Sequence, residues 1–378
     1  MDFEFSTEQN ALRELAREIF EAEVPQEELK RIEAADEWYS STLWSKLAEA
    51  NLLGLAVPEA LGGMGFGILE LCVLLQEVGR AVAPIPALPT LVLGGLPIAR
   101  YGTQSQQQRW LAGVANGETI LSAALVDADS TEVAAPATRA RREGARWKLD
   151  GRKRFVPAAD LAQRILIPAA TPEGVALFLL DPHADGVELR AARTSTHQPH
   201  FELTLSGAGV DEDDVLGGEP TGADAWLPWL RDCALVATSA TQLGVSERAL
   251  ELTTRYLSER EQFGAPIGSF PPVQHRAADC FIDLSALRWT TWRAAWRLSC
   301  DLDAGRDAAI AKFFAAEGGA RIATATQHLH GGIGADRDYP IHRYFLWSKF
   351  LELELGSAMP QLARLGRDMA RTGPQEFG

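Results

Sequence analysis

Residues 226–259 carry a helical periodicity of apolar side chains with no proline after Pro228, so a single long helix is expected there. REQFGAPIGSF (260–270) breaks it with glycine and proline. Helical pattern resumes over 273–300, 307–328 and 343–371, with GGIGADRDYP as a loop between the last two. The N-terminal stretch 6–109 also reads as helical. Leu12, Leu15, Ile19 and Phe20 share one face, and 36–52 and 68–82 repeat the signal around the Pro- and Gly-rich connector VPEALGGMGFG. Between these blocks, over 119–215, the short apolar runs ILSAALV, WKLDG, RILIPAA and VALFLL alternate with Gly, Pro and Asp, as strands do. The expected fold is α+β, with an N-terminal helical domain (1–117), a middle β domain (118–220) and a C-terminal helical domain (221–378).

The formal net charge of −15 excludes unaided nucleic-acid binding, because a phosphate backbone would be repelled. Cys72, Cys233, Cys280 and Cys300 form no C-x-x-C pair and no spaced Cys/His cluster, which points to reduced thiols and no metal site. MDFEFSTEQN lacks a basic segment followed by an apolar run, and no stretch has transmembrane length. A cytoplasmic protein without membrane insertion is expected.

Four segments, in order along nearly the whole chain, resemble the acyl-CoA dehydrogenase family: VPEALGGMGFG (57–67), WKLDGRKRF (147–155), REQFGAPIGSF (260–270) and QHLHGGIGADRDYPIHRYF (327–345). The resemblance implies that family's fold, with a barrel-like middle domain and a C-terminal four-helix bundle. It also implies FAD, bound across a subunit interface, and α,β-dehydrogenation of an acyl-CoA by a glutamate base, with electron-transfer flavoprotein as acceptor. The flavin supplies the redox chemistry; the protein positions it.

By the same resemblance, Arg260 reaches the pyrophosphate of a neighbouring subunit's FAD, a task suited to a planar fork of donors. Phe263 lies near the adenosine, Gln262 contacts the cofactor, and Gly264 permits the turn after the helix. A helix C-terminus also favours a solvated arginine with no ligand at all. Gly331 and Gly332 let backbone amides approach the ADP. The family's glutamine, three places before the first of them, is His328 here, with Gln327 one place earlier; histidine can still donate a hydrogen bond. His328 and His330 are expected as loop hydrogen-bonders, since no carboxylate is spaced to complete a metal site.

The family's catalytic glutamate occupies one of two positions. In this chain they hold Leu355 and Ala234, neither able to take a proton. Glu354 and Glu352 are read as helix carboxylates rotated off the substrate face, and Asp232 as a surface or helix-start charge. The flavin loop reads VDADSTEVAAPA (126–137), without the family's glycines. Phe155-Val156-Pro157 replaces Trp-Ile-Thr, and Ser357 and Met359 replace the Thr and Gln after the glutamate. The pattern resembles the β-type, non-catalytic subunit of actinobacterial heteromeric acyl-CoA dehydrogenases, which pair two such chains with two catalytic ones, some acting on steroid side-chain CoA esters. Two alternatives stay open: a self-sufficient enzyme with Asp232 or Glu354 as base, and a flavin-free scaffold or acyl-CoA-binding protein.

Overall fold

The computed structural model describes residues 4–35, 38–130, 133 and 135–372. The N-terminal periodicity becomes α1 (Thr7–Glu23), α2 (Gln26–Ala34), α3 (Ser41–Glu49), α4 (Ile68–Ala81), α5 (Leu96–Tyr101) and α6 (Gln104–Ala115). Two of these begin at reciprocal caps legible in the sequence. Ser6 Oγ accepts from the Gln9 amide while Gln9 Oε1 accepts from the Ser6 amide, and Thr103 and Gln106 repeat the exchange. Gln106 also donates through Nε2 to the carbonyls of Asp213 and Val215, at 2.9 and 2.7 Å, so one side chain starts α6 and anchors the end of the β segment. Before α5 the chain widens into a π-helical stretch, Leu88–Gly95, which apolar periodicity did not distinguish from α-helix.

The short apolar runs form one curled sheet from β1 (Leu121–Ala123), β2 (Val126–Asp127), β3 (Arg139–Glu143), β4 (Arg146–Pro157), β5 (Arg164–Thr171), β6 (Gly174–Leu180), β7 (Val187–Ala192) and β8 (His200–Asp211). The order is β1-β5-β3-β4-β8-β7, with β6 on β5 and β2 on β4. Trp147, Leu149, Ile165, Ile167, Phe178 and Leu203 pack in its core. The long β4–β8 ladder shifts register between Leu149 and Asp150 and again between Lys153 and Val156. Such bulges bend a strand and re-aim its side chains.

The chain then forms α7 (Ala223–Glu259), β9 (Glu261–Gln262), β10 (Ala265–Pro266), α8 (Pro271–Ser299), α9 (Gly305–Leu329), α10 (Ile341–Leu353) and α11 (Ala358–Thr372). Two compact units result, one from Met1–Leu74 with Pro84–Ala234 and one from Leu75–Ala83 with Leu235–Gly378. In the second, Leu243 and Leu250 of α7 pack with Leu284 and Leu287 of α8 and Ala315 and Ile322 of α9. Among the described residues no helix is long and apolar enough to cross a membrane. The helix expected over 343–371 is two helices. Glu354 is extended, Leu355 has φ 53° and Gly356 φ 94°, so the ladder ends at Leu353 and restarts at Ala358.

In the second unit α4 and α7 cross almost backbone to backbone. A Cβ at Gly244 would lie 1.8 Å from the Gln76 carbonyl oxygen, and one at Gly79 would lie 2.0 Å from that of Thr241. Neither neighbour is a flexible side-chain end, so the helices must separate to admit a methyl. Gly244→Ala is expected to cost about 3 kcal/mol, the upper end for overpacking. A lowered urea midpoint with an unchanged slope would register it.

Candidate functional site

At the end of α7 the Arg260 amide donates to the Tyr256 carbonyl (2.8 Å), and the Ile267 amide returns to the Arg260 carbonyl (2.8 Å). Between them β9 and β10 pair as a hairpin, Gln262 opposite Ala265. Its two turn residues, Phe263 and Gly264, have φ of 55° and 79°. Positive φ at both central residues is the type I′ geometry of tight hairpins. Gly264 thus sits in the turn after the helix, as a hairpin turn residue. Phe263 is costlier there, since a left-handed residue with a Cβ loses roughly 1–2 kcal/mol. The Phe263 ring is 95% exposed, with Phe270 edge-on at 6.2 Å. Arg260, Glu261 and Gln262 are exposed beside it.

The two loop histidines behave differently. His328 is exposed in the last turn of α9. His330 is buried, its Nδ1 2.8 Å from the Thr326 carbonyl and its Nε2 3.3 Å from the Tyr339 hydroxyl. Burial holds the imidazole below its ordinary value, against a smaller upward pull from the Thr326 carbonyl. The ring stacks on Tyr256 at 4.7 Å and 25°. Tyr256 lies one turn before Arg260 and His330 immediately before Gly331, so this stack ties the hairpin's root to the glycine loop. A Cβ at Gly331 or Gly332 would meet nothing within 4 Å, so the space beside both α-carbons is open. Gly334 has the opposite role, since a Cβ there would strike the Gln327 carbonyl at 2.4 Å. Gln327 Nε2 donates to the Gly334 carbonyl (3.3 Å), so that side chain holds the loop's own backbone.

One end of the second unit thus offers an exposed guanidinium, an exposed aromatic ring and a pair of open glycines. Their chemistry fits the ADP half of a dinucleotide: a fork for pyrophosphate, a flat apolar face for adenine, and backbone that a ligand can approach. Arg260, Gln262, Phe263, Gly331 and Gly332 would hold it, with His328 at the rim.

The two positions expected to correspond to the family's base differ in their surroundings. Ala234 is fully buried in α7, and Leu355 is half-buried in the left-handed turn between α10 and α11. The neighbouring acids differ from expectation. Asp232 is not a surface charge: it is only 6% exposed, well inside α7, with Oδ1 3.0 Å from Arg231 Nε. Glu354 lies outside the helix, so a 100° helical rotation does not describe its direction. Glu352 pairs with Lys349 at 2.9 Å. The turn rests on a residue that sequence reading passed over. Lys312, fully buried in α9, donates to the carbonyls of Leu351 and Glu352 at 3.1 Å each, closing the C-terminus of α10. Burial pushes its ammonium down to about 8, against the pull of Glu354 and Glu352. A lone lysine in AAIAKFFAA was the available signal.

In the first unit, part of the altered flavin loop (Thr131, Glu132, Ala134) lies outside the described residues. What precedes and follows it is held by a buried ion pair. Asp127 accepts from the amides of Ala137 and Thr138 (3.1 and 3.2 Å) and from the Thr138 hydroxyl (2.6 Å). Lys153 Nζ lies 3.0 Å from Asp127 and donates to the Pro168 carbonyl at 3.0 Å. Burial pushes Lys153 down to about 8 even with Asp127 beside it. Two residues on, at the bulge, Phe155 has φ 56° and is 66% exposed.

With this geometry in hand, comparison with known proteins is specific. Residues 6–118 match the family model for the acyl-CoA dehydrogenase N-terminal domain, and residues 236–370 match that for its C-terminal domain. The Mycobacterium tuberculosis protein described as acyl-CoA dehydrogenase FadE27 is 37% identical over 98% of this chain and 100% of its own length. Among solved structures, the Tcur3481–Tcur3483 steroid ACAD is similar at 43% identity and TM-score 0.90, covering 96% of this chain and 98% of that one. The ChsE4–ChsE5 complex from Mycobacterium tuberculosis is similar at 38% identity and TM-score 0.92, covering 99% and 100%.

Asp127→Ala leaves the Lys153 ammonium buried without its counter-charge and is expected to cost about 3–5 kcal/mol. Asp127→Asn, which removes the charge but keeps an acceptor for the Thr138 amide and hydroxyl, combined with Lys153→Met should recover part of that loss in a urea melt. For His330, the unfolded chain binds a proton at the ordinary value near 6.5 and the folded chain only at lower pH. Its contribution to stability is therefore full above about pH 6.5 and is lost as pH falls. Thermal midpoints between pH 7.5 and 5.5 should drop more steeply for the wild type than for His330→Gln.

Proposed function

Since this chain belongs to the acyl-CoA dehydrogenase family, we propose that it is the non-catalytic subunit of a heteromeric FAD-dependent enzyme and completes the cofactor site of a glutamate-bearing partner. One asymmetry carries the reading. The exposed Arg260–Phe263 hairpin is intact and turned outward, while Ala234 and Leu355 stand where a base would be. Arg260 takes the pyrophosphate, Phe263 the adenosine, and the Gly331–Gly332 backbone the remaining ADP contacts. A ring left 95% exposed on a turn with positive φ supports contact with another molecule. The partner supplies the proton-abstracting glutamate, the isoalloxazine contacts and the acyl-CoA pocket, and electron-transfer flavoprotein takes the electrons. The two relatives that are complexes of differently named chains support a heteromeric assembly, and the ratio proposed is two such chains with two catalytic ones. The steroid enzyme among them supports a steroid side-chain CoA ester as substrate.

A self-sufficient enzyme draws on one observation. Phe155, strained and exposed at the sheet's bulge, has the form of a ligand-facing residue. It would need Asp232 or Glu354 as base; alanine at whichever one serves would abolish turnover by the chain alone, and turnover kept in both variants would remove this reading.

Co-expression with a glutamate-bearing acyl-CoA dehydrogenase chain is expected to give about one FAD per pair of chains, and this chain purified alone is expected to show no turnover. Arg260→Ala should weaken FAD retention by roughly tenfold to a hundredfold, since a hydrogen bond to a charged group contributes about 1.5–3 kcal/mol. Retention unchanged in that variant would favour a flavin-free scaffold, and stoichiometric flavin with turnover from this chain alone would overturn the proposal.

A further inference from the structure

The hairpin after α7 carries its own short ladder, Glu261 opposite Pro266 and Gln262 opposite Ala265. Nothing in that ladder fixes where Arg260 stands relative to Gly331 and Gly332. A short path through the rings beneath does. The Arg260 amide donates to the Tyr256 carbonyl at 2.8 Å, the Tyr256 ring stacks on His330 at 4.7 Å, and His330 precedes Gly331 by one peptide bond. Tyr256 therefore holds the hairpin's root through its backbone and the glycine loop through its ring. Tyr339 joins the cluster from the turn before α10, its ring 5.1 Å from His330 and 6.3 Å from Tyr256. Thr326 anchors His330 in α9: its carbonyl accepts from the His330 amide at 3.3 Å and lies 2.8 Å from Nδ1. At the loop's far end Gln327 holds the Gly334 carbonyl.

We propose that Tyr256 and His330 are positioning residues for the dinucleotide: their stack sets the distance between the Arg260 guanidinium and the Gly331–Gly332 backbone, so that one ADP unit meets both at once. The inference rests on the cofactor reading above and adds to it residues that lie beneath the contact surface. His330 is only 2% exposed, so its ring is closed to a ligand and acts through Gly331. The ligand's covalent structure makes the spacing matter. A pyrophosphate and its adenosine are one molecule, and a ligand gripped at two points loses one grip when the points drift apart. A ring pair suits the task. Aromatic side chains turn about two χ angles only, and a stacked pair has a preferred offset and separation that a pair of aliphatic side chains lacks. The ring and the hydrogen bonds of His330 are separable by substitution. His330→Phe keeps a ring over Tyr256 and gives up the bonds to Thr326 and Tyr339. His330→Asn keeps a hydrogen-bonding side chain and gives up the ring.

The test co-expresses this chain with a glutamate-bearing acyl-CoA dehydrogenase chain and measures FAD retained by the complex on stepwise dilution, from flavin absorbance. Tyr256→Leu and His330→Asn are each expected to weaken retention about tenfold, the upper end of what an aromatic pair contributes. His330→Phe is expected to stay within about threefold of the wild type although its thermal midpoint falls with the lost hydrogen bonds. In the Arg260→Ala background, Tyr256→Leu and His330→Asn should cost no more than about threefold further, because a fork already removed cannot be misplaced. If Tyr256→Leu fails to fold, His330→Asn against His330→Phe is the deciding pair. A loss as large in His330→Phe as in His330→Asn would overturn the inference, as would losses that add in full to that of Arg260→Ala. Retention weakened by Arg260→Ala and untouched by the ring variants would remove the positioning role alone. Retention unchanged by Arg260→Ala would remove the cofactor reading itself, and this inference with it.

Discussion

The Tyr256 ring lies 4.7 Å from that of His330, nearly parallel to it, where α7 gives way to the hairpin. The candidate site depends on this contact. Arg260 and the Gly331–Gly332 pair are far apart in sequence and sit on flexible types of structure, a tight hairpin and a glycine loop. The stack joins their roots, and His330 is held in turn by the Thr326 carbonyl and the Tyr339 hydroxyl. A buried imidazole kept below its ordinary value remains neutral near pH 7, so the contact brings no buried charge. The residues that face outward can be strained and exposed because those beneath them are not.

The segments around Leu355 and around Asp127 are each tied down by a buried lysine. Leu355 occupies a left-handed turn although it can remove no proton, and Lys312 is still buried beneath that turn, bonded to two carbonyls. Asp127, within the 126–137 segment, forms a satisfied buried pair with Lys153. Buried charges are expensive to leave half-paired, so such arrangements persist or vanish as units. A side chain at the tip of a turn is free of that constraint, which is one physical route by which chemistry can go while geometry stays.

Exposed apolar surface is distributed unevenly over the second unit. Phe263 stands alone on a hairpin, whereas α11 presents a whole face, with its polar side spent on α9 and the preceding turn. A lone ring and a whole helix face are different kinds of surface: one is a single flat contact, the other a continuous stripe.

The periodic sequence by itself determined the order of elements. Apolar spacing over 226–259 falls within the observed Ala223–Glu259, and the short apolar runs of 119–215 are strands, because burial of one face imposes a period readable one residue at a time. Residue chemistry also singled out Arg260 and the glycine loop as candidates, since an arginine or a Gly-Gly pair is a property of the residue itself. Directions and partners were decided only by tertiary structure. A helical pattern over 343–371 runs through a turn at Leu355 whose positive φ no periodicity encodes. Asp232 reads as a surface acid and is buried; Lys153 and Lys312 read as ordinary lysines and are interior. The outward face of α11 is amphipathic in sequence like any helix, and only packing decides which side meets the core. Local pattern follows from the covalent chain, whereas the buried side of an element depends on which distant segments share the space beside it.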